Sequence, residues 1–329
     1  MNETLKTNTI APPRLIASLT AGFNLVAARA YLILLPVGLD LLLWFGPRFR
    51  LKQLMQPLIQ DWVDTLQTTS GNDLLGMGGA IQQLWGTVLE RFNLLTFLSS
   101  TPVGVPSLLA GVLPVRNPLG EPPVYEIHSW GQALSGWLLF SLLGLVAGSL
   151  YFSMVARSTA PEDLPYSLPQ AIWEFSQVFS LTILLIFLLM LLSIPISIVS
   201  LILALINPAL AQLALLLMSF VLLWLLIPLV FSPHGIFAAH QGVMQAMLIS
   251  ARVVRLLFPG VLMFLLAALV LTQGMGYLWH IPPETSWLML AGILGNAFIT
   301  TGLLAASFVY YRKAVQWVEA MRRESLTRG

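Results

Sequence analysis

Few residues of this sequence combine a reactive side chain with an unusual setting, and Asp40 is the clearest of them. It lies inside residues 30–46, which otherwise hold no charged side chain. A carboxylate within a membrane helix is costly and usually faces protein or water, where it can bind a proton or a cation. It can also pair with an arginine, and for a lone aspartate we favour a structural role. Asn296, inside an apolar run, is expected to hydrogen-bond between helices rather than to contact a substrate.

The histidines do not follow a metal-binding pattern. His234 and His240 are six residues apart, so a helix would not place them on one face as a spacing of four does, and His128 and His280 lie far away in sequence. The absence of cysteine excludes disulfides, thiolate metal sites and cysteine nucleophiles. No Gly-x-Ser-x-Gly elbow and no Walker-type loop occurs. We therefore predict no catalytic residue, no cofactor and no metal site.

The composition excludes an ordinary soluble domain. Of the 329 residues, 57% are hydrophobic and only 9% are charged, whereas soluble domains carry about 25% charged residues. So few charges cannot cover a water-soluble surface of this size, and a polytopic membrane protein is predicted. The net charge is +2. Because no basic stripe with interleaved aromatic residues occurs, we expect no nucleic-acid partner.

The apolar runs are long enough for membrane helices, which satisfy their own backbone hydrogen bonds in hydrocarbon. We predict an all-α integral membrane protein: a bundle of six transmembrane helices with amphipathic interfacial helices and an outer helical cap. The predicted spans are residues 30–46, 130–155, 171–206, 209–230, 258–278 and 287–311. The predicted regions are an N-terminal lead with an interfacial helix (1–29), the first transmembrane helix (30–46), an extracytoplasmic helical loop region (47–129), five transmembrane helices (130–311) and a basic cytoplasmic tail (312–329).

The extracytoplasmic region at residues 47–129 is expected to form the cap. Residues 49–66 and 73–95 have helical, amphipathic patterns, and prolines and glycines follow them. Residues 101–114 are apolar enough to enter the membrane but too interrupted to cross it. In the next span, Gly144 and Gly148 form a small-xxx-small pattern that lets another helix approach closely, although ordinary glycine use explains the pair equally well.

A polar insert at residues 232–257 carries an amphipathic helix. Four polar side chains fall within an arc of about 80° on a helical wheel, and apolar side chains lie opposite; the four are Gln241, Gln245, Arg252 and Arg255. Such a helix suits the headgroup interface of a membrane. Arg252 and Arg255 are therefore predicted to contact lipid headgroups.

The distribution of lysine and arginine predicts the orientation. With six spans both termini lie on one side, and most of the basic residues fall in segments on that side, which the positive-inside rule places in the cytoplasm. Arg48, Arg50 and Lys52 argue the other way, but they begin a long loop, which the rule weights weakly. The predicted location is the inner (plasma) membrane of the cell, with both termini cytoplasmic.

One part of the chain resembles a known group of proteins. Residues 228–255, with the sequence PLVFSPHGI followed by GVMQAMLISAR, and the ending FVYYRK at residues 308–313 carry the resemblance. They are similar to bacterial six-span membrane proteins that include the membrane domain found beside some glycerophosphodiester phosphodiesterases. The resemblance covers about residues 170–315 and implies a topology. It implies no activity, because the catalytic barrel of the phosphodiesterase is absent.

Three functions remain open at this point. The first is a non-enzymatic scaffold, assembly factor or lipid-contacting accessory subunit, with membrane lipids or a membrane protein as partners. The second is a small permease or lipid transporter, for which Pro36, Pro195 and Asn207-Pro208 would mark broken helices. The third is a membrane enzyme, which would need clustered acids and bases, for example Asp40, His234 and Glu174 brought together by folding.

Overall fold

The fold is mainly helical in a computed structural model, which describes residues 11–70, 75–99, 102–111, 113–160 and 167–327. Short 3-10 turns lie at Ala30–Ile33, Leu94–Leu98 and Ile227–Leu229. The α-helices are α1 Leu15–Ala28, α2 Leu34–Phe45, α3 Lys52–Ser70, α4 Leu75–Arg91, α5 Trp130–Ser158, α6 Leu168–Ile206, α7 Pro208–Leu226, α8 Ser232–Ala239, α9 Val243–Leu256, α10 Phe258–Trp279 and α11 Met289–Thr327.

The number of helices that can cross a membrane is five or six. Within the described residues, five segments are long and apolar enough, and a sixth is counted if the neighbouring Leu15–Ala28 and Ala30–Phe45 form one bent span. The five are Trp130–Ser158, Leu168–Ile206, Pro208–Ala239, Phe258–Trp279 and Met289–Glu324. These helices confirm the prediction of a helical membrane protein.

Two boundaries differ from the sequence prediction. Residues 30–46 do not form one long helix, because a 3-10 turn precedes α2, which has only 12 residues. At 1.5 Å per residue α2 is about 18 Å long, shorter than the ~30 Å hydrocarbon core. The predicted tail at 312–329 also differs, since its described part continues the last span within the 39-residue α11.

A small parallel sheet was not predicted. Strand β1 (Arg48–Arg50) pairs with β2 (Val124–Glu126), with Phe49 opposite Tyr125. The prediction of a helix beginning at residue 49 was therefore wrong, because α3 begins only after the strand. The sheet joins residues more than 70 positions apart, and strands of three residues leave no periodic signal in the sequence.

The chain divides into two compact units. The first lies within residues 1–29, 152–269 and 302–329, and the second within residues 30–151 and 270–301. The core of the first unit is aromatic: Phe231 stacks on Tyr310 with ring centroids 6.0 Å apart, and Phe264 contacts Tyr310 with ring centroids 5.1 Å apart. This core fixes α8, α9 and the adjoining parts of α10 and α11.

A hairpin of two long helices belongs to the first unit. Asn207 ends α6 and caps α7, because its side-chain oxygen accepts a hydrogen bond from the Ala209 N–H at 2.8 Å. The turn predicted at Asn207-Pro208 is thus confirmed. The most apolar stretches of the two helices have no buried residue. The helix α6 continues without interruption through Pro195.

In the second unit, a largely non-helical segment packs against α5. This segment comprises the described residues 93–99 and 102–111, and its buried side chains include Val103, Val105 and Leu109. A β-carbon added to Gly148 would lie 2.5 Å from the Val103 carbonyl oxygen, and one added to Gly144 would lie 2.5 Å from the Leu98 carbonyl oxygen. The two glycines therefore permit a close approach, but of this segment rather than of a second α-helix.

Candidate functional site

A cavity in the first unit is a candidate site. It has a volume of about 450 Å³, and its walls are apolar except for one arginine. Trp224 and Phe258 form one part of the wall, with their rings in a T-shaped contact at 5.2 Å. The lining residues are Trp224, Ile227, Pro228, Ala251, Val254, Arg255 and Phe258. An apolar cavity of this size with one polar anchor is typical of a site for a small amphiphile.

The walls of the cavity are positioned by Ser250 on α9. Its hydroxyl donates a hydrogen bond to the Pro228 carbonyl at 2.7 Å and accepts one from the Phe231 N–H at 3.0 Å. Pro228 has no backbone N–H to donate, and Pro233 lies in the first turn of α8. The chain between α7 and α8 is therefore held onto α9 by one buried hydroxyl, which places Ala251 and Arg255 opposite Pro228.

Helix α9 presents two arginines on its outer face. Arg252 and Arg255 are exposed, and Val243, Ala246 and Val253 are buried on the opposite face, as the amphipathic pattern predicted. Gln241, however, precedes the helix and lies 3.5 Å from the Tyr311 hydroxyl. Among the described residues neither arginine has a salt bridge. Only Arg255 lines the cavity.

The outer face of α9 also exposes large apolar side chains. Met244, Leu248 and Leu256 are each more than half exposed. They lie on the same helix as Arg252 and Arg255, so cations and apolar groups alternate along one surface. That arrangement is typical of a helix lying where headgroups meet acyl chains.

Asp40 has a structural environment. It is completely buried on α2, and its two oxygens accept hydrogen bonds from the Ser107 hydroxyl, from the Leu108 N–H at 3.0 Å and from the Leu109 N–H at 3.1 Å. No arginine pairs with it in the described part of the chain. The carboxylate thus holds residues 107–109, and both of its oxygens accept hydrogen bonds from them.

The enzyme hypothesis required Asp40, His234 and Glu174 to lie together, but each of them contacts a different partner. Asp40 bonds Ser107, His234 Nε2 lies 2.7 Å from the Ser307 hydroxyl, and Glu174 lies 3.4 Å from Arg157. Because the Ser307 hydroxyl donates to the Leu304 carbonyl at 2.7 Å, His234 is the donor to Ser307. Asn296 is buried on α11, and its predicted role between helices stays a prediction.

Sequence reasoning missed an ionic cluster around Glu174. This buried carboxylate lies 3.6 Å from His240 Nδ1 and 3.2 Å from the Gln170 amide nitrogen, in addition to Arg157. His240 ends α8 in the left-handed conformation, with φ of 49°. His240 therefore has an acidic neighbour, Glu174, which lies 66 positions before it in the chain. No local signal could have indicated the contact.

Among the described residues, no group of three or more His, Asp or Glu side chains could hold a metal ion. No protein-family model, no curated protein and no solved structure matches this chain. The resemblance of residues 170–315 to six-span bacterial membrane proteins stays a prediction. The functional argument therefore rests on the geometry of the cavity and of helix α9.

Proposed function

We propose that this chain is a non-enzymatic, multi-pass membrane protein that binds anionic lipid and acts as an accessory or assembly subunit. The observation that carries the proposal is the apolar cavity with Arg255 at its wall. An acyl chain would occupy the apolar part, and the phosphate of the headgroup would pair with the guanidinium. The exposed Arg252 would add a second, weaker attraction to an anionic membrane surface.

The proposal includes a location and an orientation. The protein would lie in the inner (plasma) membrane with six spans, an outer cap formed by α3 and α4, and both termini in the cytoplasm. Exposed apolar side chains on α3 and α4 support the cap, since Leu58, Trp62, Leu84 and Val88 would face the membrane surface. A reporter fused to the C-terminus should behave as cytoplasmic, and an exported signal there would contradict the orientation.

Lipid binding by variants of α9 tests the proposal. The purified protein in detergent would be titrated with phosphatidylglycerol, and bound lipid measured by native mass spectrometry. We expect Arg255→Gln to weaken binding about fivefold, equivalent to ~1 kcal/mol for one arginine at a phosphate surface. Ala251→Phe should weaken binding at least as much, because its ring would project into the cavity and occupy part of the volume that the acyl chain needs.

Arg252→Gln is the matched control, since it removes the same charge from the same helix outside the cavity. It should change binding much less than Arg255→Gln. Wild-type affinity in both Ala251→Phe and Arg255→Gln would overturn the proposed lipid site. If the protein purifies from its native membrane without any partner and its deletion leaves membrane composition unchanged, the accessory role is wrong.

The alternative is a small permease or lipid transporter. That function would use broken helices and a polar residue facing a cavity. Asp40 supports it poorly, because both of its oxygens already accept hydrogen bonds from residues 107–109. We therefore place lipid binding, rather than transport, first.

A further inference from the structure

The small sheet of the second unit has one aromatic face and one charged face. Side chains two residues apart on a strand point to the same side, so Arg48 and Arg50 share a face and Phe49 points to the other. Phe49 stacks on Tyr125 with ring centroids 5.6 Å apart, and it also packs against Phe140. The arginines therefore lie on the side of the sheet away from this aromatic contact.

Arg48 is a buried cation without a hydrogen-bond partner. Only 2% of its surface is exposed, yet none of its three guanidinium nitrogens is hydrogen-bonded within the described part of the chain. The Nε of Arg50 is also buried and lacks a described partner. Burying a charged group without partners is among the most costly arrangements in a protein, so such a group normally has a bound counter-ion or water.

The carboxylates near Arg48 already accept hydrogen bonds from other groups. Glu284 accepts hydrogen bonds from Arg91 Nη1 at 2.6 Å and from the Val115 N–H at 2.7 Å. Glu121 pairs with Arg116 at 3.0 Å. Glu126, opposite Arg50 in the sheet, accepts from the Gln53 N–H at 3.3 Å. None of them forms a salt bridge with Arg48 among the described residues.

Burial and neighbouring positive charge both oppose the charged form of Arg48. The pKa of its guanidinium is lowered to about 10, first by burial and then by the positive charge of Arg50, while Glu284 acts in the opposite direction. At neutral pH the group is still charged. An added anion would relieve both the burial of the charge and its repulsion from Arg50 and Arg91.

We propose that Arg48, together with Arg50, forms the binding site of a phosphate-type oxyanion. A guanidinium presents its donors in a planar fork that matches two oxygens of a phosphate group. Three free nitrogens on Arg48 and one on Arg50 would fill several of the acceptor positions of such a group. The phosphate can belong to a lipid headgroup or to a free phosphate ion. This site is independent of the cavity beside Arg255.

The first test measures phosphate that stays with the protein. Because the guanidinium is enclosed, an anion bound to it should co-purify. The wild-type protein would be purified in detergent and denatured, and released inorganic phosphate and extracted phospholipid would be quantified separately. We expect one phosphate group per chain more in the wild type than in Arg48→Met. Appearance as inorganic phosphate or as phospholipid identifies the source.

The second test measures stabilisation of the intact protein. Inorganic phosphate, or phosphatidylglycerol in mixed micelles, should raise the melting temperature of the wild type, because a ligand of the native state stabilises it. Arg48→Met should weaken the ligand's apparent affinity at least about tenfold, and Arg48→Lys should weaken it less, because lysine keeps the charge but loses the fork. Arg116→Met is the matched control, since Arg116 is exposed and paired, and it should leave the response unchanged.

Each outcome of these two experiments either supports or overturns the phosphate site. If neither phosphate nor phosphatidylglycerol stabilises the wild type and no excess phosphate is released, the guanidinium is solvated by water only and the site is wrong. Equal phosphate content in wild type and Arg48→Met would also overturn it. Should Arg48→Met fail to fold, Arg50→Met and the wild-type titration decide, and a wild-type response lost in Arg50→Met supports the site. Arg255→Gln should not alter the response, which separates this site from the proposed lipid cavity.

Discussion

The α6–α7 hairpin and residues 93–113 are both strongly apolar, but they are built in opposite ways. The hairpin is helical, and its most apolar stretches bury no side chain; Leu205, for example, is 83% exposed. Of residues 93–113, the described residues 102–111 are non-helical and follow the 3-10 turn at Leu94–Leu98, and apolar side chains such as Val103, Val105 and Leu109 are buried. Apolar composition alone therefore does not decide which segment faces lipid.

The difference lies in how the backbone is satisfied. A helix pairs its own N–H and C=O groups, so it needs no protein around it in hydrocarbon. A non-helical segment leaves those groups open and must be buried against partners that bond them. Asp40 does this for Leu108 and Leu109, and Asn93 does it for Leu95. These two polar side chains thus satisfy part of the backbone of residues 93–99 and 102–111, of which only Leu94–Leu98 are helical.

Removing the Asp40 carboxylate should have the largest effect. Asp40→Ala leaves the buried N–H groups of Leu108 and Leu109 without acceptors, at about 1–3 kcal/mol each. We expect the free energy of unfolding in detergent to fall by about 4 kcal/mol, as measured by chemical denaturation. Asp40→Asn should lose less, because the amide keeps one acceptor oxygen. A loss below ~1 kcal/mol in Asp40→Ala would mean that the carboxylate does not hold the segment.

Adding a methyl group to Gly148 on α5 should have an intermediate effect. The β-carbon of Gly148→Ala would lie 2.5 Å from the Val103 carbonyl oxygen and 2.8 Å from the Gly104 α-carbon, so backbone must move. We expect a loss of about 1–3 kcal/mol in the unfolding free energy. Gly131→Ala is the control on the same helix, because nothing lies within 4 Å of its added carbon. It should be neutral or gain up to ~1 kcal/mol from helix propensity, and an equal loss at both sites would contradict the packing.

Substitutions on the exposed face of the hairpin should have the smallest effect. Leu217 and Phe220 are each more than half exposed on α7. Leu217→Ala and Phe220→Ala should change the unfolding free energy in detergent by no more than about 0.5 kcal/mol, as surface substitutions usually do. The same denaturation experiment measures them. Losses comparable to that of Gly148→Ala would indicate that the hairpin packs against protein.

The sequence predicted those parts of the fold that depend on local composition. The apolar runs gave α5, α6, α7 and α10 with ends displaced by only a few residues, because uninterrupted apolar stretches in hydrocarbon must be helical. The turn at Asn207 and the amphipathic pattern of α9 also follow from local chemistry. Arg255 lines the cavity, and the contact of Arg252 and Arg255 with lipid headgroups stays a prediction.

The remaining parts depend on contacts between distant positions. Asp40 is 67 positions from Ser107, Glu174 is 66 from His240, and Arg91 is 193 from Glu284. A single sequence contains no periodic signal for such pairs, so the roles of these side chains could not be assigned in advance. The cavity itself combines α7, α9 and α10, and its volume depends on how Ser250 fixes the turn between α7 and α8.

The most direct test is labelling with a lipid-soluble carbene reagent in proteoliposomes that contain only the purified protein. Peptide mass spectrometry would map the labelled residues. We predict strong labelling of α6 and α7, including Leu205 and Phe220, and little labelling of residues 102–111. Labelling of residues 102–111 as strong as that of the hairpin, or protection of the hairpin, would contradict the assignment of lipid to one segment and protein to the other.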